Sequence, residues 1–137
     1  MKVIGTPVGA AVPASLVAGP VFVLSYAASL VYARLPHPIV VDPETLLGLA
    51  TILLPATIVG FMIGYCVNIV GALIMAALSN HIRLVREPPA WVAAGAAIGG
   101  SIAFLLDGYG RDGPAFALIA TSAICAGLCR RGFDWVD

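Results

Sequence analysis

Charged side chains are scarce in this sequence. Seven Lys or Arg and seven Asp or Glu make up 10% of its 137 residues, against 61% hydrophobic residues and a mean hydropathy of +1.02. Soluble domains are typically about one quarter charged. The composition therefore excludes an ordinary water-soluble domain and predicts a membrane protein, whose surface is solvated by the lipid bilayer.

Cysteine is also rare, and its positions exclude two kinds of site. Cys66, Cys125 and Cys129 all lie in apolar segments and form no CxxC motif. Neither a disulfide framework nor a thioredoxin-like redox motif is therefore predicted. Acidic and basic residues balance to a net charge of zero, so nucleic acid is not expected as a partner.

Catalytic and cofactor-binding patterns are missing as well. The sequence contains no nucleophile paired with a base, no phosphate-binding glycine loop, no paired carboxylates and no metalloprotease motif. No ionisable residue lies at the centre of an apolar segment, which argues against a proton-coupled transporter. We expect no enzymatic activity, and the sequence predicts neither a cofactor nor a metal.

Long uncharged runs are what the sequence has instead, and the longest extends from Thr45 to Asn80. Its 36 residues contain no Asp, Glu, Lys or Arg. A straight helix of this length is about 54 Å long, against a hydrocarbon core of about 30 Å. We predict one span that bends near Pro55, where the Thr51 carbonyl loses its hydrogen-bond donor. The alternative is two short spans joined by a turn at residues 64–68, which would leave backbone groups unpaired in lipid.

Small or polar residues recur every four positions in this run and in two later ones. Such a row forms a ridge on a helix that a partner helix can approach closely. The three rows are Ala56, Gly60, Gly64, Asn68, Ala72 and Ala76; Gly95, Gly99 and Ala103; and Ala117, Thr121, Cys125 and Cys129. The residues that we predict to pack helices together or to line a pore are Gly60, Gly64, Asn68, Gly71, Gly95 and Gly99.

The predicted fold class is an all-α membrane protein, a bundle of four transmembrane helices packed through small-residue faces, with helix 2 long and bent. The spans cover about residues 13–34, 45–80, 89–106 and 114–129 of a single domain, residues 1–137. Pro13 fits the first turn of the first helix, and the second and third helices are predicted to begin at Pro43 and Pro88. A cleavable signal peptide is the alternative for the first run, which is too long and too rich in proline for one.

Lysine and arginine predict the orientation of these spans. Five basic residues fall on one side of a four-span protein and two, Arg34 and Arg111, on the other. The five are Lys2, Arg83, Arg86, Arg130 and Arg131. This asymmetry predicts a multi-pass protein of the cell (inner) membrane with both termini in the cytoplasm. Five spans would also divide the charges five to two, with the amino terminus and Lys2 outside and Arg34 inside.

Asn68 is the first candidate for a functional group inside the membrane. A side-chain amide at this depth must be paired with another helix or line a wet path, with Tyr65 nearly one turn away. The run from Gly64 to Gly71 (GYCVNIVG) resembles the second-span signature of the small four-span fluoride channels, whose asparagine faces the ion path. The arginine of that family's first span is absent, and residues 99–104 (GGSIAF) replace its third-span break. We therefore assign no family.

Two further groups of residues are candidates near the predicted cytoplasmic side. Cys125 and Cys129 lie one turn apart at the depth expected for His81, so the three together could bind a soft metal, whereas small cysteines packed in an apolar interface are the simpler interpretation. Trp91, Phe133 and Trp135 are predicted to anchor the chain in the membrane interface.

Two functions are consistent with these features. The first is a small non-catalytic integral membrane protein, an accessory or scaffolding subunit that associates with itself or with a larger membrane protein through its small-residue faces. The alternative is an oligomeric channel or facilitator for a small ion or solute, with Asn68 lining the path.

Overall fold

A computed structural model describes residues 2–33, 42–107 and 115–136. Four α-helices make up most of this part of the chain, which confirms the predicted helical fold. They are α1 (Pro7–Ala33), α2 (Pro43–His81), α3 (Pro88–Asp107) and α4 (Ala115–Arg131). A 3₁₀ turn (Arg83–Arg86) connects α2 to α3, and two short strands, β1 (Lys2–Ile4) and β2 (Asp134–Val136), flank the helices. The prolines and glycines of the sequence predict a loop at residues 34–44 and a turn at residues 107–114. Most of both segments lies outside the described residues.

The first helix begins six residues earlier than predicted. The Gly9 amide donates to Thr6 Oγ1 at 3.1 Å, so Thr6 caps the helix and Pro7 takes its first position. Pro13 and Pro20 consequently both lie inside α1. Prolines are tolerated inside membrane helices because neighbouring helices and local adjustments satisfy the freed backbone groups.

The second helix is a single element of 39 residues. It begins at Pro43 as predicted and continues without a break through residues 64–68, where the alternative prediction placed a turn. Pro55 lies inside it, and the helix is not interrupted there. Thr51 and Thr57, on either side of Pro55, donate their hydroxyls to the carbonyls four residues earlier, at 2.8 and 2.7 Å. The bend near Pro55 stays a prediction.

Three of the helices are long and apolar enough to cross a membrane. The segments concerned are Pro7–Tyr32, Pro43–His81 and Pro88–Leu106. This agrees with the membrane protein predicted from composition. With 17 residues, of which Thr121, Ser122, Arg130 and Arg131 are polar, α4 is shorter and less apolar than the other three. It packs between α1 and α3, so less of its surface faces outward.

The helices pack in the order α2, α1, α4, α3, with α2 making only limited contact with α4. Two glycine contacts bring neighbouring backbones together. An ideal Cβ on Gly60 of α2 would lie 2.5 Å from the backbone nitrogen of Gly19 in α1. In the second pair, Gly99 of α3 lies against the Leu118 carbonyl of α4, and a Cβ on it would be 2.6 Å from that oxygen. Only glycine permits approaches this close.

The two ends of the described chain meet beside the bundle. β1 pairs with β2 in an antiparallel ribbon in which Val3 is opposite Trp135. Gly132 precedes β2, and Phe133 turns back to place its ring 5.6 Å from the Trp91 ring. Both aromatic side chains are buried, with 1% of Trp91 and 2% of Phe133 exposed. Their prediction as lipid-facing anchors was therefore wrong, because the turn at Gly132 folds Phe133 into the core.

Candidate functional site

A small polar cluster lies where α1, α2 and α4 come together. The Asn68 side-chain nitrogen donates to Ser15 Oγ at 3.1 Å, and Ser15 Oγ donates to the Ala11 carbonyl at 2.7 Å. The Cys125 thiol donates to the Ala14 carbonyl at 3.3 Å. The cluster thus connects three helices through side chains that are satisfied inside the protein.

This geometry makes Asn68 a packing residue of the isolated chain. Its amide is held by Ser15, a residue 53 positions earlier in the sequence. Neither a carboxylate nor an imidazole takes part in the hydrogen bonds described for the cluster. A hydroxyl, an amide and a thiol without a base form no acid–base or nucleophilic arrangement. Holding helices together is what the cluster can do chemically.

Substitution of Asn68 tests this role. We expect Asn68→Leu to destabilise the folded protein by about 0.6 to 1.7 kcal/mol, the range of interhelical hydrogen bonds in membranes. Ser15→Ala should cost a similar amount, and the double variant little more than either single one, because the two changes remove the same bond. Reversible unfolding in detergent measures all three. An unchanged or increased stability of Asn68→Leu would show that the amide is not a packing contact.

A groove runs along α4 between α2 and α3. Its volume is about 150 Å³. Side chains of α2 and α3 form its walls and α4 forms its floor, and most of this lining is apolar. The lining includes Asn68, Gly71 and Met75 from α2, Trp91 and Ile98 from α3, and Cys129 from α4. No described atom lies within 4 Å of an ideal Cβ on Gly71, so this position opens into the groove.

Arginine side chains brace the 3₁₀ turn at one end of this groove. Arg86 Nε donates to the Ser79 carbonyl at 3.0 Å, and Arg130 Nε donates to the Arg86 carbonyl at 2.7 Å. Arg130 also donates to the Phe133 carbonyl at 2.8 Å, and Trp91 Nε1 donates to the Val85 carbonyl at 2.8 Å. These bonds connect the turn to α2, α3 and α4.

The residues predicted from sequence fall into three places. Gly60 and Gly64 face α1, and Gly95 and Gly99 face α4. Asn68 belongs to the polar cluster and also borders the groove, whereas Gly71 belongs to the groove wall and to no helix contact among the described residues.

Sequence reasoning missed the partner residues in α1. Ser15 and Gly19, with Ala11, form a four-residue row like the three that were identified. That signal was present in the sequence.

The proposed group of two cysteines and a histidine does not assemble in the described residues. Cys125 and Cys129 are buried and unbridged, whereas His81 is exposed at the end of α2. No group of three or more potential metal ligands occurs in the described ranges. The interpretation of Cys125 as a small packed residue fits its contact with the Ala14 carbonyl.

Comparison of the chain with protein-family models, with curated proteins and with solved structures gives no significant match.

Proposed function

We propose that this chain is a small non-catalytic integral membrane protein that serves as an accessory or scaffolding subunit, associating with a second copy or with a larger membrane protein. The observation that carries this proposal is the unequal length of the two helix pairs. The α1–α2 hairpin extends beyond the α3–α4 pair at the ends of α1 and α2 farthest from the ribbon, and its surface there is apolar.

The difference in length between the two helix pairs can be measured as the number of residues beyond the two glycine contacts. Gly19–Gly60 and Gly99–Leu118 lie at similar depth, because the intervening Cys125–Ala14 hydrogen bond fixes α4 against α1. Beyond these contacts α2 continues for 17 residues (43–59) and α1 for 14 (20–33), but α3 continues for only eight (100–107). At about 1.5 Å per residue, α1 and α2 extend about 9 to 14 Å farther than α3.

The outward side of the projecting part has no cover within the described residues, whereas its inner side packs on α1. The most hydrophobic 18-residue window of α2 contains no buried residue. Leu46, Leu47 and Leu54 are 57%, 69% and 69% exposed. A helix of 39 residues is about 58 Å long, about twice the thickness of the hydrocarbon core, so tilting it fully into lipid would require an extreme angle. Contact with another membrane-embedded protein covers this surface at a smaller cost.

Site-specific photo-cross-linking in cell membranes tests the proposal. A photoreactive amino acid at Leu47 should form protein adducts, either with a second copy or with a larger membrane protein. The matched control is Leu105, which is 80% exposed near the end of the shorter α3 and should give few adducts. Native mass spectrometry from mild detergent then distinguishes a homo-oligomer from a complex with another protein. A membrane-embedded monomer without adducts from Leu47 would refute the subunit role.

The oligomeric channel remains the second candidate, since Asn68 and Gly71 both border the groove. Assembly around this face would place the amide on a path between copies. Ion or solute flux in liposomes tests it, because Asn68→Leu should reduce flux through a folded oligomer. The hydrogen bond to Ser15 and the apolar lining of the groove favour the subunit role.

A further inference from the structure

The groove between α2 and α3 suits a lipid acyl chain. Its walls are apolar, and α2 and α3 make few direct contacts with each other. A single acyl chain is narrow, apolar and flexible enough to fill such a space along the floor formed by α4.

Positive charge collects at the end of the groove where the 3₁₀ turn lies. The turn itself carries Arg83 and Arg86, and α4 ends beside it with Arg130 and Arg131. The hydrogen bond from Arg130 to the Arg86 carbonyl brings the two pairs together. Arg83 and Arg131 are exposed. The two pairs are separated by 43 residues or more in the sequence, and the fold places them at one end of one groove.

Acidic residues at this end only partly offset the arginines. Glu87 follows the turn and is exposed, and Asp134 begins β2. Among the side chains that the structure describes at this end, four arginines outnumber the one carboxylate, that of Glu87, and leave the end of the groove basic. Basic pockets between transmembrane helices on the cytoplasmic side are sites where anionic lipid headgroups bind.

We propose that the groove binds an anionic phospholipid, with an acyl chain between α2 and α3 and the phosphate headgroup at Arg83 and Arg131. This inference rests on the proposed membrane location of the chain. It assigns a role to Gly71, which has no side chain and so keeps the groove open. It also assigns a role to Arg83 and Arg131, which the proposed subunit function does not explain. The bound lipid completes the packing where α2 and α3 do not meet.

Native mass spectrometry of the purified protein is the primary test. Phosphatidylglycerol and phosphatidylcholine with identical acyl chains are added in equal amounts, and the number of retained lipids is counted. We expect one phosphatidylglycerol to be retained in preference to phosphatidylcholine by roughly thirtyfold, given two exposed arginines at the headgroup that each contribute about 1 kcal/mol. Equal retention of the two lipids would overturn the proposal.

Filling the groove tests where the acyl chain lies. Gly71→Leu projects a side chain into open space, so it should occupy the groove without disturbing helix contacts. The matched control is Gly48→Leu, because Gly48 lies in the same helix, also has no described atom within 4 Å of an ideal Cβ, and is outside the groove. Lipid retention should fall severalfold in Gly71→Leu and stay unchanged in Gly48→Leu. Equal retention by both variants would place the lipid elsewhere and overturn the assignment.

Removing charge tests the headgroup position. The double variant Arg83→Gln with Arg131→Gln should lose most of the preference for phosphatidylglycerol, whereas Arg111→Gln, in the segment that follows α3, should keep it. Both substituted arginines are exposed, so the fold is expected to tolerate their loss. An unchanged preference in the double variant would contradict the proposal.

Two controls separate this proposal from related ones. Inorganic phosphate in millimolar excess should not displace the lipid, and displacement would indicate a simple anion site instead. Carbonate extraction of membranes tests the membrane location independently. Protein that is retained in the membrane fraction but shows no lipid preference would refute only the lipid site, whereas protein released by carbonate would refute the proposed function as well.

Discussion

Replacing Gly60 by leucine is expected to separate α1 from α2. An ideal Cβ on Gly60 would lie 2.5 Å from the nitrogen and 2.6 Å from the Cα of Gly19, and both of these are backbone atoms that cannot rotate away. The helices must move apart, which also weakens the contacts of Gly64 with Ala18 and of Asn68 with Ser15. We expect a loss of about 3 kcal/mol or more in the free energy of unfolding, at the upper end of overpacking effects. Reversible unfolding in detergent measures it.

Gly48→Leu is the control for this substitution. It makes the same chemical change in the same helix, at a position where no described atom lies within 4 Å of an ideal Cβ. Leucine also has the higher intrinsic helix propensity, so the stability of Gly48→Leu should be unchanged or slightly increased. Equal stabilities for the Gly60 and Gly48 variants would show that α1 and α2 do not approach as closely as described.

The second large effect is expected from Trp91→Ala. The Trp91 ring is 1% exposed and packs against Phe133, and its indole nitrogen donates to the Val85 carbonyl. Alanine leaves a cavity and an unpaired carbonyl at the end of the bundle where the 3₁₀ turn is braced. Truncations of buried aromatic residues cost about 3 to 5 kcal/mol. Thermal unfolding of the variant in detergent should show the loss.

Two further variants serve as comparisons for Trp91→Ala. Trp91→Phe keeps a ring against Phe133 but loses the indole donor, so its stability should lie between those of the wild type and Trp91→Ala. Phe116→Ala removes an aromatic side chain that is 59% exposed and should change stability little. If Trp91→Ala were no less stable than Phe116→Ala, Trp91 would not be part of the core.

Helix existence was predictable from the sequence because each helix coincides with an uncharged run. The starts of α2 at Pro43 and of α3 at Pro88 followed from proline at the first helical position. The predicted start of α1 at Pro13 was wrong. Thr6 and Pro7 form an equally good helix start six residues earlier, and the prediction overlooked them. In a bundle, a proline inside the helix costs less than it does in water, so proline alone does not mark a boundary.

Pairing between helices was less predictable. The four-residue row in α2 indicates a close approach, but a row of small residues does not specify its partner, and the match of Gly60 with Gly19 depends on the fold. The burial of Phe133 and the ribbon between β1 and β2 were missed for a related reason. Three-residue strands are too short to show an alternating pattern, and an aromatic residue next to arginines resembles a membrane anchor in sequence.

The ribbon and the α1–α4 contact limit the order in which the helices can pack during synthesis. α1 pairs with α2, and α3 with α4, soon after each is made, because the partners are neighbours in the chain. The Cys125–Ala14 bond joins residues 111 positions apart. The face of α1 that includes Ala10 and Ala14 can therefore be covered only after α4 has been synthesised. We therefore expect the helices to pack hairpin by hairpin, with α4 closing the structure. In a ribosome-bound chain that ends before Ala115, this face of α1 has no α4 to cover it.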